Sequence, residues 1–373
     1  MRFTVSSTAF YSRLTAASKV LAAKNSMPIL ECFLLDIKNG NVQITASDGE
    51  KYFVTRVALV DSDNNAQLCI PAKQLMDSVK ELAEQPLTLE YNPETHEVRV
   101  IHQNGEFRMI GYAADTYPMQ QPVADEATEL HLGGEVLLSG INKCLFATAS
   151  DEVRLVMTGV FMDVQPDQIT FAGTDGRKLV RYINRSVQSG QQTGIILPKK
   201  VATIIKTIVQ KDDQLTLRFD TERALIQCET FDLYFRLIEG RYPNYNGVIP
   251  TDNPFCTTVD RAQLLSALKR VSVFCNQSSG LMKLHLENNS MKLTGQDNDY
   301  VTSVEENLGC DYTNQPISIG FSCHLMIEIA GVMDAPQLTI QLADPSRPGI
   351  IVPAEQGEQE ETLMLLMPMM LND

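Results

Sequence analysis

Apolar residues recur three and four apart in three stretches that stand one small domain apart along the chain. Val5, Phe10 and Leu14 are matched by Leu132, Leu137 and Ile141, and then by Val259, Leu264 and Leu268, each step being 127 residues. Every stretch opens on a short apolar–polar alternation, which predicts a strand, and passes into a helical stripe: Phe10, Leu14 and Ala17; Leu137, Ile141 and Cys144; Leu264, Leu268 and Val271. A unit used three times can bury the same faces in the same way at each copy.

Paired strands around polar turns follow in each copy: ILECFLLDIKNGNVQITASDG, VMTGVFMDVQPDQITFAGTDG and LMKLHLENNSMKLTGQDND. They end at equivalent turns, Asp48-Gly49, Asp175-Gly176 and Asp297-Asn298. A second helix comes after a proline in PAKQLMDSVKELAE and PKKVATIIKTIVQ, and FSCHLMIEIAGVM holds that place in the third copy. Its expected apolar stripe is Leu75, Val79 and Leu82, then Val201, Ile205 and Ile208, then Leu325, Ile329 and Val332. Two further strands close each copy, among them FRMIGY, YFRLIE and TLMLLM. The pattern predicts an α+β fold of three repeated domains, each with two helices packed on antiparallel sheets, at residues 1–125, 126–250 and 251–373.

Composition agrees with a multidomain globular protein: 373 residues, 44% of them hydrophobic, support three cores of this size. The start, MRFTVSSTAFYSRL, lacks an apolar leader run and no eighteen apolar residues stand together, which predicts a cytoplasmic chain without a membrane segment. Eight cysteines (Cys32, Cys69, Cys144, Cys228, Cys256, Cys275, Cys310, Cys323) lie far apart and mostly inside apolar runs, as expected of reduced, buried side chains. The net charge of −15 repels nucleic acid on average but leaves room for a locally basic face.

Chemistry-bearing patterns are sparse. The five histidines (His96, His102, His131, His285, His324) fall at unrelated points of the repeat, without a metalloprotease helix or a nucleophile elbow. FAGTDGRK is too short to cradle phosphates and reads as a hairpin turn. Asp48, Asp175 and Asp297 sit on different copies, so they shape turns and cannot converge on one metal ion. No catalytic residue, metal or cofactor is expected. Lys24, Lys73, Arg154, Lys199 and Lys200 add to the basic residues on the polar helix faces; any one of them alone reads as solvated surface, whereas together they could form a positive lining. The apolar tail TLMLLMPMMLND predicts a last core strand, with Met369, Met370 and Leu371 beyond the proline that interrupts ladder pairing. Methionines placed there suit an adaptable pocket.

The three copies, the TDGRKL and EGRYPNY segments, SMPIL after the first helix, PAK before the second and the MPMML ending together resemble the β subunit of bacterial DNA polymerase III, the sliding clamps, over the whole length. The resemblance implies a head-to-tail homodimer of six domains, closed into a ring whose helices surround double-stranded DNA without reading its sequence. It also implies a processivity role and, as partners, the polymerase III catalytic subunit, the clamp loader and other proteins carrying a clamp-binding peptide. A metabolic enzyme with its site at a domain junction, or a scaffold that never touches DNA, are the competing readings.

Carried over position by position, the resemblance puts Lys24, Lys73, Arg154 and Lys199 near the DNA backbone; Leu155 and Val156 stand where some members have tyrosines. It lines a partner-peptide pocket between the second and third domains with Met157, Thr174, Gly176, Arg177, Leu179, Pro243, Val248, Pro348, Leu365, Met367, Pro368, Met369 and Met370. Gly247 replaces an arginine of some members, and the tail ends MPMMLND where others end MPMRL. At the ring joints Phe107 should meet Val273 and Phe274, although spacing alone equally allows Phe107 to pack inside its own sheet.

Overall fold

The computed structural model describes residues 1–22, 24–25, 27–297 and 300–371, without the side chain of Glu152. Among the described residues four sheets carry the fold, and every pairing between their strands is antiparallel. The chain packs as two units, residues 1–135 with 203–237 and residues 136–202 with 238–373, so the middle third contributes to both.

In the first unit a five-stranded sheet runs in the order Asp61–Ser62, Arg2–Ser6, Pro86–Tyr91, Glu97–His102, Gly105–Ile110. Beside it stands an eight-stranded sheet in which Phe231–Arg236, from the middle third, pairs with Lys51–Ala58, from the first. Helices α1 (Ser7–Ser18) and α2 (Ala72–Val79) pack together, and α1 also covers the strands Asn41–Ser47 and Lys51–Ala58. Its expected stripe, Phe10, Leu14 and Ala17, is fully buried, each large side chain contributing about 1.5–3 kcal/mol. The Ser6 hydroxyl accepts from the Ala9 N–H at 3.2 Å and starts α1.

Chain-order helices α3 (Gly134–Cys144) and α4 (Lys199–Ile208) are divided between the two units. In the second unit, another eight-stranded sheet joins Lys178–Asn184 to Glu360–Leu366, again across thirds of the sequence. A four-stranded sheet completes the unit in the order Thr302–Gly309, Ser290–Asp297, Leu281–Glu287, Ile317–Ser322. Helices α5 (Arg261–Ser272) and α6 (Cys323–Val332) pack on each other, with Arg261 donating to the Ala330 and Ala335 carbonyls at the end of α6.

Hairpin turns obey local chemistry. Asn39 and Gly40, and Asn288 and Asn289, take positive φ, the backbone that a right-twisted two-residue hairpin requires. Asp48 Oδ1 accepts from the Glu50 and Lys51 N–H groups, and Asp175 Oδ1 accepts from Arg177 and Lys178 in the same way. In the third copy Asp297 Oδ1 accepts from Tyr300 N–H at 3.4 Å, while Asn298 lies outside the described residues.

Three expectations need correction. In α6 the buried face is Cys323, Met326, Ile329 and Ala330, while Leu325 and Val332 are only half-buried. The reason is register: Ser322 occupies the cap position that Pro71 holds in α2, so Met326 corresponds to Leu75. Leu82 lies beyond α2, which ends at Val79. Among the cysteines, Cys256 is exposed and Cys228 and Cys310 are half-buried; the other five are buried, and all eight are free thiols.

Candidate functional site

The second unit gathers the tail, the Asp175-Gly176 turn and the RYPNY segment on one sheet. Leu179 and Leu365 face each other across the Lys178–Asn184 and Glu360–Leu366 strands, and both are buried in a cluster with Ala172, Ile196, Tyr242 and Tyr245. Val156, next to Met157, packs against that cluster from a short 3-10 segment, and Ile249 does so just after Val248. Tyr242 stacks on Phe161 at 4.7 Å with planes 6° apart, and the Tyr245 hydroxyl donates to Asp163 at 2.8 Å. Burial pushes both phenols above their ordinary range, and the Asp163 carboxylate raises Tyr245 further.

The rim is held by backbone. Met367 N–H donates to the Arg177 carbonyl at 2.8 Å, which extends the ladder one residue past the strand. Pro368 then turns the chain away, yet Met369 does not leave the fold: its N–H donates to the Gly320 carbonyl at 2.8 Å, pairing with the other sheet. Pro368 thus interrupts the ladder, as expected, because it lacks the donor, and a single bridge re-forms beyond it on another sheet. A side chain on Gly320 would meet the Met369 carbonyl at 2.4 Å, so glycine is what lets the tail lie there.

Exposure separates floor from rim. Thr174, Leu179 and Leu365 are buried, whereas Gly176, Arg177, Pro243, Val248, Met367 and Met370 are exposed, Met370 at 89%. Met157, Pro348, Pro368 and Met369 are half-buried. Thr174 Oγ1 donates to the Lys178 carbonyl and accepts from Gly176 N–H, closing the turn, while Gly176 itself takes φ +84. The Pro348 carbonyl accepts from the Asn253 side chain at 3.0 Å, at the entrance to Gly349–Pro353.

Of the residues assigned to DNA, Lys24 and Lys73 are exposed in the first unit, and Arg154 and Lys199 in the second. Arg154 is already engaged: its guanidinium pairs with Asp151 at 2.5 Å and donates to the Asp175 carbonyl. The Asp151 hydrogen bond raises the guanidinium still further above neutrality. Arg154 thus braces the same turn that carries Gly176 and Arg177. Leu155 beside it is exposed.

Phe107 lies on Gly105–Ile110, the edge of the five-stranded sheet, half-buried and stacked on His102 at 4.8 Å. Val273 and Phe274 follow α5 and are exposed. The histidines stand apart at structural posts, His96 on Tyr91, His131 on Thr216 and His285 on Ser318. Among the described residues there is no cluster of three or more metal-ligating side chains, and no helix is long and apolar enough to cross a membrane.

Sequence reasoning missed Tyr242, Tyr245 and the clasp in which Glu361 accepts from Arg181 at 2.5 Å and Arg185 at 2.9 Å, joining the two strands that bear Leu179 and Leu365. The repeated Tyr-Pro pair at Tyr117-Pro118 and Tyr242-Pro243 was the available signal for the tyrosine.

The family models of the DNA polymerase III beta subunit match three consecutive segments: the N-terminal domain over residues 1–121, the central domain over 131–244 and the C-terminal domain over 246–369. The beta sliding clamp of Synechococcus elongatus is 28% identical over 350 residues, 91% of this chain and 92% of that one. A crystal structure of the DNA polymerase III subunit beta from Pseudomonas aeruginosa superposes with a TM-score of 0.94 at 22% identity over all of both chains. The beta subunit from Thermotoga maritima gives 0.90 at 23% over 99% of each. With its three segments matched in order and its fold shared end to end, the chain belongs to the DNA polymerase III beta subunit family, the beta sliding clamps.

Proposed function

We propose that the chain is the processivity clamp of a replicative DNA polymerase: three domains at residues 1–125, 126–250 and 251–373, doubled head to tail into a ring that encircles duplex DNA in the cytoplasm and catalyses no reaction. The match of all three family domains carries this reading.

Sheet continuity supports ring closure. Within the chain, Phe231–Arg236 joins Lys51–Ala58 and Glu360–Leu366 joins Lys178–Asn184, each time making eight strands. The corresponding strands of the remaining joint, Gly105–Ile110 and Thr302–Gly309, are left at open sheet edges. Pairing them between two copies would complete the same arrangement, with Phe107 of one copy near Val273 and Phe274 of the other as an apolar anchor.

Lys24, Lys73, Arg154 and Lys199 would then serve as loose contacts to phosphate. Each tight phosphate contact adds about −0.9 to the salt slope, so few contacts favour sliding over gripping.

The partner pocket is the apolar floor of Leu179 and Leu365 with the rim from Met157, Thr174, Gly176, Arg177, Pro243, Val248, Pro348 and Met367 through Met370. Burying two or three apolar peptide side chains yields about 1.5–3 kcal/mol each. Association costs offset much of that, leaving affinity on the order of micromolar, suited to exchange among the polymerase catalytic subunit, the clamp loader and other peptide-bearing proteins.

Loader-assembled protein on circular and on linearised DNA tests the proposal. Retention on circles with rapid loss from linear ends is expected; equal loss from both would overturn it.

A further inference from the structure

The joint inside the first unit repeats the backbone of the proposed partner pocket but not its chemistry. Tyr52 faces Tyr234 across Lys51–Ala58 and Phe231–Arg236, as Leu179 faces Leu365 in the second unit. One strand further, Arg223 faces Arg236 across its own ladder, and these positions correspond to Pro348 and Met367. The turn glycine is kept as well, with Gly49 at φ +94 and Gly176 at φ +84.

A groove of about 290 Å³ opens there, lined among others by Tyr52, Tyr234, Arg223, Arg236, Glu50 and Met119. Residues directly opposite in an antiparallel pair project to the same face, and like charges so placed destabilise the sheet. Arg223 donates to the Gln121 side chain and lies 3.8 Å from Glu222, but the exposed Arg236 side chain has neither a hydrogen bond nor an ion pair among the described residues. Glu50 is the one acidic residue in the lining, against two arginines. The groove thus sets two facing guanidinium groups over an aromatic floor in a chain of net charge −15.

We propose that this groove is a second peptide-docking site, which takes a short segment of a partner protein carrying carboxylates beside an apolar side chain. An acidic residue would sit between Arg223 and Arg236, relieving their repulsion by charge-assisted hydrogen bonds, while the apolar neighbour packs on Tyr52 and Tyr234. The two joints of one chain would then sort partners by charge, since the other pocket sets the single exposed Arg177 beside its methionines whereas this groove sets two facing arginines over tyrosines.

Fluorescence polarisation with a labelled hexapeptide of alternating glutamate and phenylalanine tests the site, against the same peptide with lysine in place of glutamate. Saturable binding of the acidic peptide alone is expected, weakened at least tenfold by Arg236→Glu and changed less than twofold by Met370→Glu in the other pocket. If Arg236→Glu loses the native circular dichroism spectrum, Arg236→Gln is read instead and should weaken binding at least threefold. The proposal is overturned by absent or unsaturable binding, by equal binding of the lysine peptide, by unchanged affinity in the Arg236 variant, or by loss in Met370→Glu.

Discussion

Lys178 Nζ lies 2.9 Å from the Glu328 carboxylate, so a strand of the middle third is tied to helix α6 of the last third by a lysine only 7% exposed. The same ammonium is 3.5 Å from Asp175 and 5.5 Å from the Phe146 ring centre. Its counterpart Lys51 pairs with Asp48 in the first unit. Replacing Lys178 by methionine should cost about 1.5–3 kcal/mol, the range for hydrogen bonds to charged groups. Glu328→Gln should cost less, because that carboxylate is half-exposed. Urea unfolding of both single variants and the double variant should give a coupling above about 0.5 kcal/mol; additive losses would refute the tie.

Gly140 in α3 should not tolerate alanine. Helix propensity favours alanine over glycine by about 1 kcal/mol, but an added Cβ would stand 2.3 Å from the Phe171 ring. Overpacking of this kind costs about 1–3 kcal/mol, so a lower melting temperature is expected for Gly140→Ala. Gly331→Ala in α6, where nothing lies within 4 Å, should instead raise it.

Deleting residues 367–373 should abolish partner-peptide binding while leaving the dimer intact. The strand Glu360–Leu366 ends before the cut, and among the described residues the backbone bonds lost are those of Met367 to Arg177 and Met369 to Gly320. Unchanged peptide affinity in a calorimetric titration would remove the pocket assignment. The point variant Met370→Ala, at an exposed side chain, should weaken affinity by about 1 kcal/mol without changing stability.

Asp48 should couple folding to acid. Burial works to raise its carboxyl, but the Lys51 ammonium and the Lys51 and Glu50 N–H groups outweigh that and hold it below the ordinary 3.8. A depressed carboxylate stabilises the fold above its unfolded value and loses that contribution as pH falls through the folded value. Asp48→Asn should therefore be less stable than the parent by about 1–2 kcal/mol near neutrality, and the gap should close on acidification below about pH 4. A gap that stayed constant with pH would assign the loss to packing.

Lys24→Glu combined with Lys199→Glu should weaken DNA-dependent loading or sliding. Each phosphate contact removed should flatten the slope of log affinity against log salt by about 0.9. An unchanged slope with unchanged processive synthesis would favour a scaffold that does not touch DNA.

The triplication, the helix stripes through Leu14, Ile141 and Leu268 and the aspartate turns were legible in the sequence, because side-chain period and turn chemistry act over a few residues. The α6 stripe was misplaced by one position because the repeat there lacks the proline that marks the helix start elsewhere. The family motifs named Leu179, Leu365 and Met367 as neighbours, but no spacing announces that residues 186 apart lie opposite one another.

Local periodicity determined roughly where the strands and helices lie and that the pattern occurs three times. Only the tertiary structure decided that Leu179 meets Leu365 where Tyr52 meets Tyr234, that Arg223 stands opposite Arg236, and that Met369 is bridged to Gly320. Edge strands join by backbone groups that every residue carries, so the partner of an edge is fixed by register, burial and glycine-sized gaps across the whole fold and leaves no local signature.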